Sequence, residues 1–315
     1  MTRFVVTGAD FGRTEGVISI VDVDERSGKL ELLDEHWIEH PDPSLAVKGK
    51  GFTGCCLDGD RLWTCFSNLV VAIDLNDFEV VEIIADSLFN DLHHVEMNGD
   101  ELLIANTGNE SIDRVRLADG NIERIDLLGE HLRNLRPERK QSEDTKPHIH
   151  HLSSVTTNED GDLIVGLVRQ GRVLNLSKWD WMGPRLGSPI HDVQVLSNGK
   201  NRQQKLWFTT VPGQVHCHSV GQEDDPEMWD LSDHLDEVGW TRGLGITNHG
   251  LLVGTTAIRQ SNHDYFHSFT RSRVGQVAAS LTWIPFDDSE ESVTLELPGA
   301  LTRKVFSIRR WDVGA

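Results

Sequence analysis

Basic residues are scarce in this chain. Thirty Lys and Arg stand against fifty Asp and Glu, a formal charge of −20. A field of that sign repels phosphate backbones and anionic lipid surfaces, so neither nucleic acid nor a membrane is an expected partner. Cysteine is nearly missing: Cys55, Cys56, Cys65 and Cys217 are the only four, and no CxxC pair occurs. That excludes a zinc ribbon or a thioredoxin-like centre. Adjacent Cys55 and Cys56 point to opposite faces of a strand, so buried free thiols are expected. No apolar run approaches the roughly 18 residues that a membrane-spanning helix needs. The first residues lack the long apolar segment of a secretory signal, so a cytoplasmic location is expected. A sustained 3.6-residue period is missing too, which argues against a parallel α/β fold. So are a Gly-rich phosphate loop, a GxSxG elbow and a Ser-His-Asp order.

What the chain has is a repeat. Hydrophobic residues make up 38% of it and nine are Trp, enough for a packed interior. A short strand, a tight Asn/Asp-Gly turn and a second apolar strand recur. The unit begins at Thr53, His93, Ser153, His191 and Arg242. Gly beside Asn or Asp is the chemistry of a hairpin turn with positive φ. Two further strand-like runs follow each hairpin, as in residues 70–73 and 79–83. Four strands in a unit of about 40–50 residues make a propeller blade.

The ends complete the count. Residues 4–7, 16–23 and 29–37 read as three strands without an inner partner. Residues 305–309 read as an inner strand without outer ones. Joined, they make a sixth blade and close the ring, which removes free sheet edges. The expected fold is therefore all-β, a six-bladed β-propeller occupying residues 1–315 as one domain. Two segments break the rhythm, residues 130–148 and 259–273. Strand direction puts both on the face where the inner strands begin, and long loops of this kind usually serve function.

Register selects the candidate residues. The inner strands align on the apolar residue before the turn: Cys55, Val95, Val155, Val193, Leu244 and Ile308. Two positions earlier stand Thr53, His93, Ser153, His191, Arg242 and Phe306, and His151 stands four positions before its anchor. Side chains alternate along a strand, so positions two and four before the anchor share a face. If that face lines the channel, His93, His151 and His191 converge from three consecutive blades. Three neutral imidazoles suit a divalent transition metal, with Fe, Mn, Zn, Ni and Cu undistinguished. The plainer alternative is that each imidazole caps a blade by bonding backbone carbonyls. Alternation sends His94 and His150 to the opposite face, although a slip at His151 would hand its role to His150. Asp192 is placed to orient His191 or to serve as a structural polar partner. Arg242 and Arg259, with Asn106 and Arg169 placed similarly, suit an anionic group at the mouth, or else buried ion pairs. Cys55 occupies an apolar anchor, and His216 and His218 lie in a third strand, so all three read as structural.

The segments carrying these residues resemble a known pattern. They are Asn90-Asp-Leu-His-His94, Pro147-His-Ile-His-His-Leu-Ser153, Ser188-Pro-Ile-His-Asp192, Thr241-Arg-Gly-Leu244 and Gly254-Thr-Thr-Ala-Ile-Arg259. In that order they resemble a family of uncharacterised bacterial propeller-like proteins, often associated with glycan or secondary-metabolite gene neighbourhoods. The resemblance spans about residues 90–260 and marks His93, His151, His191, Arg242 and Arg259. It departs at Ser153, where the family has Asn, and at His94, where it has Asp. A looser similarity links the chain to gluconolactonase- and strictosidine-synthase-like six-bladed propellers, whose Glu, Asn and Asp metal ligands this chain lacks. The His-rich set is closer in type to propeller lyases with histidine-bound manganese.

Two functions are thus expected from sequence. One is a metal-dependent lyase, hydrolase or oxygenase acting on a small polar or anionic substrate. There His93, His151 and His191 hold the metal, and Arg242, Arg259 and Asp192 work on the substrate. The other is a non-catalytic propeller that binds a small ligand or a partner protein. The oligomeric state is left open.

Overall fold

The computed structural model describes residues 1–135, 138–141, 143, 148–198, 203–221, 226–259, 269–270, 272–287 and 289–312. Within them the chain forms six four-stranded antiparallel sheets around one axis, a six-bladed β-propeller. The first blade is built from both ends. Its outer strands are β1 (Thr2–Asp10), β2 (Gly16–Val23) and β3 (Leu30–Ile38), and its inner strand is β24 (Arg303–Arg310). β24 pairs with β1 from Phe4↔Arg310 to Asp10↔Arg303, so the last strand closes the ring. The second blade runs through β4 (Cys55–Asp58), β5 (Arg61–Cys65), β6 (Val70–Asp74) and β7 (Val80–Ile84). The third has β8 (Leu92–Asn98), β9 (Glu101–Asn106), β10 (Ser111–Arg116) and β11 (Ile122–Asp126). The fourth has β12 (Leu152–Thr157), β13 (Leu163–Leu167), β14 (Arg172–Asn175) and β15 (Asp180–Met182). The fifth has β16 (Ile190–Asn198), β17 (Gln203–Thr210), β18 (Gln214–Ser219) and β19 (Glu227–Asp230). The sixth has β20 (Trp240–Ile246), β21 (Gly250–Thr256), β22 (Ser280–Pro285) and β23 (Val293–Glu296).

Local chemistry explains the hairpins. Gly59 and Gly99 take φ of +58° and +65° in the Asp-Gly and Asn-Gly turns, where a Cβ would be strained. The six anchor residues are all buried at 0–1% exposure, so the register read from the repeat holds. The core lies between blades. Cys56, Trp63, Cys65 and Val70 of the second blade pack on Leu92, Val95, Leu102 and Ile104 of the third. Phe4, Val6 and Val21 of the first pack on Leu252, Leu281 and Trp283 of the sixth. All four cysteines are buried and free.

The feature that positions the site is a recurrent irregularity. Four inner strands slip register near their starts: between Leu92 and His94, Leu152 and Ser154, His191 and Gln194, and Thr241 and Leu244. Beside these bulges, Asp91, His151, Asp192 and Gly243 take positive φ of +51°, +56°, +53° and +82°. A bulge bends its strand and re-aims the adjoining side chains. Three non-glycine residues held in the left-handed region mark backbone whose strain the surrounding structure supports.

Candidate functional site

One mouth of the channel holds a cavity of about 910 Å³, including its opening to solvent. Thr53, His93, Arg242 and Phe306, four of the six residues two before the anchors, line it. His151, Asp91, Lys50, Arg259, Lys304 and Phe11 line it as well. His191 and Ser153 do not, and none of the described residues of the fifth blade lines the cavity.

The imidazole side is built on Asp91. Its buried carboxylate pairs with the Lys50 ammonium and lies 3.3 Å from His148 Nε2, at an angle short of a full hydrogen bond. Burial opposes ionisation of Asp91, but Lys50, His93 and His148 together hold its carboxyl well below the usual carboxylate range. His148 Nδ1 meets His151 Nδ1 at 2.8 Å. Only one of two facing nitrogens can carry the proton. If His148 turns Nε2–H toward Asp91, its Nδ1 accepts from His151, which leaves the His151 Nε2 lone pair free. His93 Nδ1 lies 2.7 Å from the Asp91 carbonyl, which can only accept. Its Nε2 therefore also keeps a lone pair. The Glu110 carboxylate accepts from the backbone N–H groups of residues 149, 150 and 151, fixing the turn that presents His148 and His151. Arg169 donates to the His148 carbonyl at 2.6 Å from the far side.

Burial keeps these rings neutral. It pushes His93 down to about 3, with the fields of Lys50 and Arg242 adding to it and Asp91 opposing. It holds His151 and His191 well below the ordinary imidazole value, helped by neighbouring imidazoles and, at His191, by Arg242. His191 Nε2 has no hydrogen-bond partner among the described residues.

The opposite side is cationic. The Arg242 guanidinium lies over Phe306 at 4.4 Å and over Trp240 at 5.1 Å, and the edge of His93 meets Phe306 at 5.9 Å. Arg242 Nε is buried with no hydrogen-bond partner among the described residues. Burial and Arg259 pull Arg242 down to about 10 against the pull of Asp192, so it stays charged at neutral pH. Arg259 lies over Phe11 at 5.2 Å, and Lys304 Nζ is 5.0 Å from the same ring. Among the described residues lining the cavity, Asp91 is the one carboxylate. Lys50 and the imidazoles already engage it.

The sequence expectations meet this geometry unevenly. Arg242 and Arg259 share the mouth with His93 and His151, as strand direction implied. The described part of residues 130–148 crosses the same face: Asn90 donates to the Lys140 carbonyl, and Gln141 reaches the Asn68 carbonyl. Asn106 is different. It bonds the Leu88 carbonyl and the Asp113 carboxylate inside the third blade, so it supports the loop and does not face the cavity. Asp192 is a positioning residue: its carboxylate accepts from the Gly243 N–H at 2.7 Å and fixes the bulge that carries Arg242. His150 turns outward to Gln170, and His94 lies between blades against Arg309, as alternation required. The three-histidine metal centre is not assembled. Among the described residues no three His, Cys, Asp or Glu side chains are gathered to hold one ion. The left-handed turn at His151 swings that ring onto His148, and His191 stays outside the cavity lining. Asp91 and His148 were missed. Asp91 stands four before Val95 as His151 stands four before Val155, so the parity rule applied to every blade selects it.

No known family profile matches the chain, and no curated protein matches it in sequence. Solved structures share the fold. A Bacteroides caccae protein of unknown function superposes with a TM-score of 0.60 at 12% identity, covering 98% of both chains. A Bacteroides fragilis protein provisionally named a 6-phosphogluconolactonase gives 0.53 at 12% identity, over 99% of this chain and 98% of that one. Virginiamycin B lyase from Staphylococcus aureus gives 0.50 at 9% identity, over 93% and 84%. At these identities the likeness is one of fold. Among the described residues no helix is long and apolar enough to cross a membrane.

Proposed function

We propose that the channel mouth binds a small anionic molecule and that His93 and His151 transfer protons to and from it, as in a lyase or hydrolase. One observation carries this reading. Arg242 and Arg259 converge on a cavity whose only lining carboxylate, among the described residues, is already engaged. In a protein of charge −20 such a local excess of cations focuses attraction on a small anion. The guanidiniums offer forked donors to a carboxylate or phosphate, and Phe11 and Phe306 supply apolar walls. Propellers that act as enzymes, a lyase and a provisionally named lactonase, share the architecture.

Binding would also prepare the bases. His93 is held low partly by Lys50 and Arg242. An anion between these cations cancels their field and raises the proton affinity of the ring toward the range useful for catalysis.

The test is calorimetric titration with inorganic phosphate, citrate and pyruvate. At least one should bind saturably, and the Arg242→Met, Arg259→Met double variant should bind it at least tenfold more weakly. Equal affinity in wild type and double variant would overturn the reading.

A further inference from the structure

The mouth contains an amine that anion binding alone does not require. Lys304, the second residue of β24, is only 8% exposed, yet it lines the cavity. Its Nζ donates to the Gly49 carbonyl, and no carboxylate pairs with it among the described residues. Arg242, Arg259 and Lys50 surround the same cavity. A lysine placed only to attract an anion would gain by a hydrated, exposed ammonium. This one is sunk beside other cations and against the Phe11 ring. We propose that Lys304 is a nucleophilic amine that forms a Schiff base with a small anionic ketone or aldehyde, such as a 2-oxo acid.

The chemistry balances. Neutral Nζ adds its lone pair to the carbonyl carbon, and the carbonyl oxygen takes a proton to give a carbinolamine. Loss of the second N–H proton to a base, and departure of the hydroxyl as water after it gains a proton, gives the imine. The sum is amine plus carbonyl to imine plus water, with no oxidant or reductant. One further proton on nitrogen gives the iminium. His93 and His151 line the same cavity and serve as the proton acceptors and donors. The substrate carboxylate, held by Arg242 and Arg259, offsets the iminium charge that the surrounding cations would otherwise oppose. The same surroundings favour the free amine: burial first, then Arg259, Lys50 and Arg242, draw Lys304 well below the usual ammonium range, with Asp91 opposing.

This inference rests on the anion-site reading, and one experiment separates the two. The intact protein is incubated with pyruvate or 2-oxoglutarate and reduced with sodium cyanoborohydride. The adduct is then located by peptide mass mapping, alongside calorimetry of the same oxo acids. The expected result is one reduced adduct per chain on Lys304, suppressed when saturating phosphate or citrate fills the mouth. Lys304→Arg, which keeps an N–H donor able to reach the Gly49 carbonyl, should lose the adduct while binding the oxo acid within a few-fold of wild type. Binding of the oxo acid with no adduct on Lys304, or adducts spread over surface lysines and unaffected by phosphate, overturns the Schiff-base proposal and leaves the anion site standing. Failure of every anion to bind overturns both.

Discussion

Two pairs of histidines in this protein, each with one buried and one half-buried ring, are both desolvated and differ in their partners. At the mouth, His93 and His151 meet edge-on with centroids 4.9 Å apart, each tied to a hydrogen-bond partner through Nδ1. In the fifth blade, His216 and His218 lie nearly parallel with centroids 6.0 Å apart, both stacked on Phe208. Neither nitrogen of His216, nor Nε2 of His218, finds a hydrogen-bond partner among the described residues. Desolvation lowers both sets, His93 to about 3 and His216 to about 4. A depressed imidazole therefore does not mark a site by itself. What distinguishes the mouth is the carbonyl of Asp91 and the facing Nδ1 atoms, which fix the proton, together with a cavity lined by cations.

The comparison breaks most visibly at Asp91. Asp91→Asn should cost about 3–5 kcal/mol, because it leaves Lys50 without its buried counter-charge and the imidazole chain without its carboxylate. Urea denaturation measures this, and a loss under 1 kcal/mol would show that Asp91 does not organise the mouth. The matching change in the other pair, His216→Phe, should be nearly neutral. It removes two buried nitrogens without hydrogen-bond partners and keeps the stack on Phe208.

Acid should act next most strongly. An imidazole in the unfolded chain titrates near 6.5. Folded His93, His94, His151, His191, His216 and His218 all lie below that, so the unfolded state takes up protons first as pH falls. Stability from these groups is complete above about pH 6.5 and is lost below it, at about 1.4 kcal/mol per pH unit for each fully shifted group. Glu96, raised to about 7 by burial, works the other way as one group against six. Denaturation midpoints between pH 7.5 and 5 should fall steeply. His216→Phe should reduce the slope by about one proton and His93→Asn should reduce it similarly. A flat profile would contradict the neutral, buried imidazoles.

The smallest effect is expected at Asp192. Asp192→Asn keeps one oxygen able to accept from the Gly243 N–H, so the fold should hold. Removal of the charge near Arg242 should change anion affinity by no more than a few-fold. A loss as large as that of the Arg242→Met, Arg259→Met variant would place Asp192 in direct contact with the ligand instead of behind the bulge.

The sequence was legible where a residue's place follows from alternation. Hairpin turns, anchor residues and the split first blade all obey period two and short-range turn chemistry, so the ring and its closure could be read directly. Alternation also brought His93, His151, Arg242 and Arg259 to one mouth. It failed where the backbone leaves the regular strand. The bulges at His93, Ser153 and Asp192 and the left-handed turns at Asp91 and His151 depend on contacts from other blades, such as the Glu110 carboxylate under residues 149–151. Those contacts set His148 against His151 and Asp91, while His191 stays outside the cavity lining. Lys304 and Lys50 escaped for another reason: long side chains from neighbouring positions reach a cavity that strand parity alone does not outline.

The most direct measurement of the central claim is anomalous diffraction from crystals soaked in tungstate, a heavy tetrahedral oxyanion. The account predicts a strong anomalous peak in the mouth, within hydrogen-bonding reach of Arg242, Arg259 and Lys304, and its loss in the Arg242→Met, Arg259→Met variant. Peaks confined to the outer surface, with none at the mouth in wild-type crystals, would contradict it.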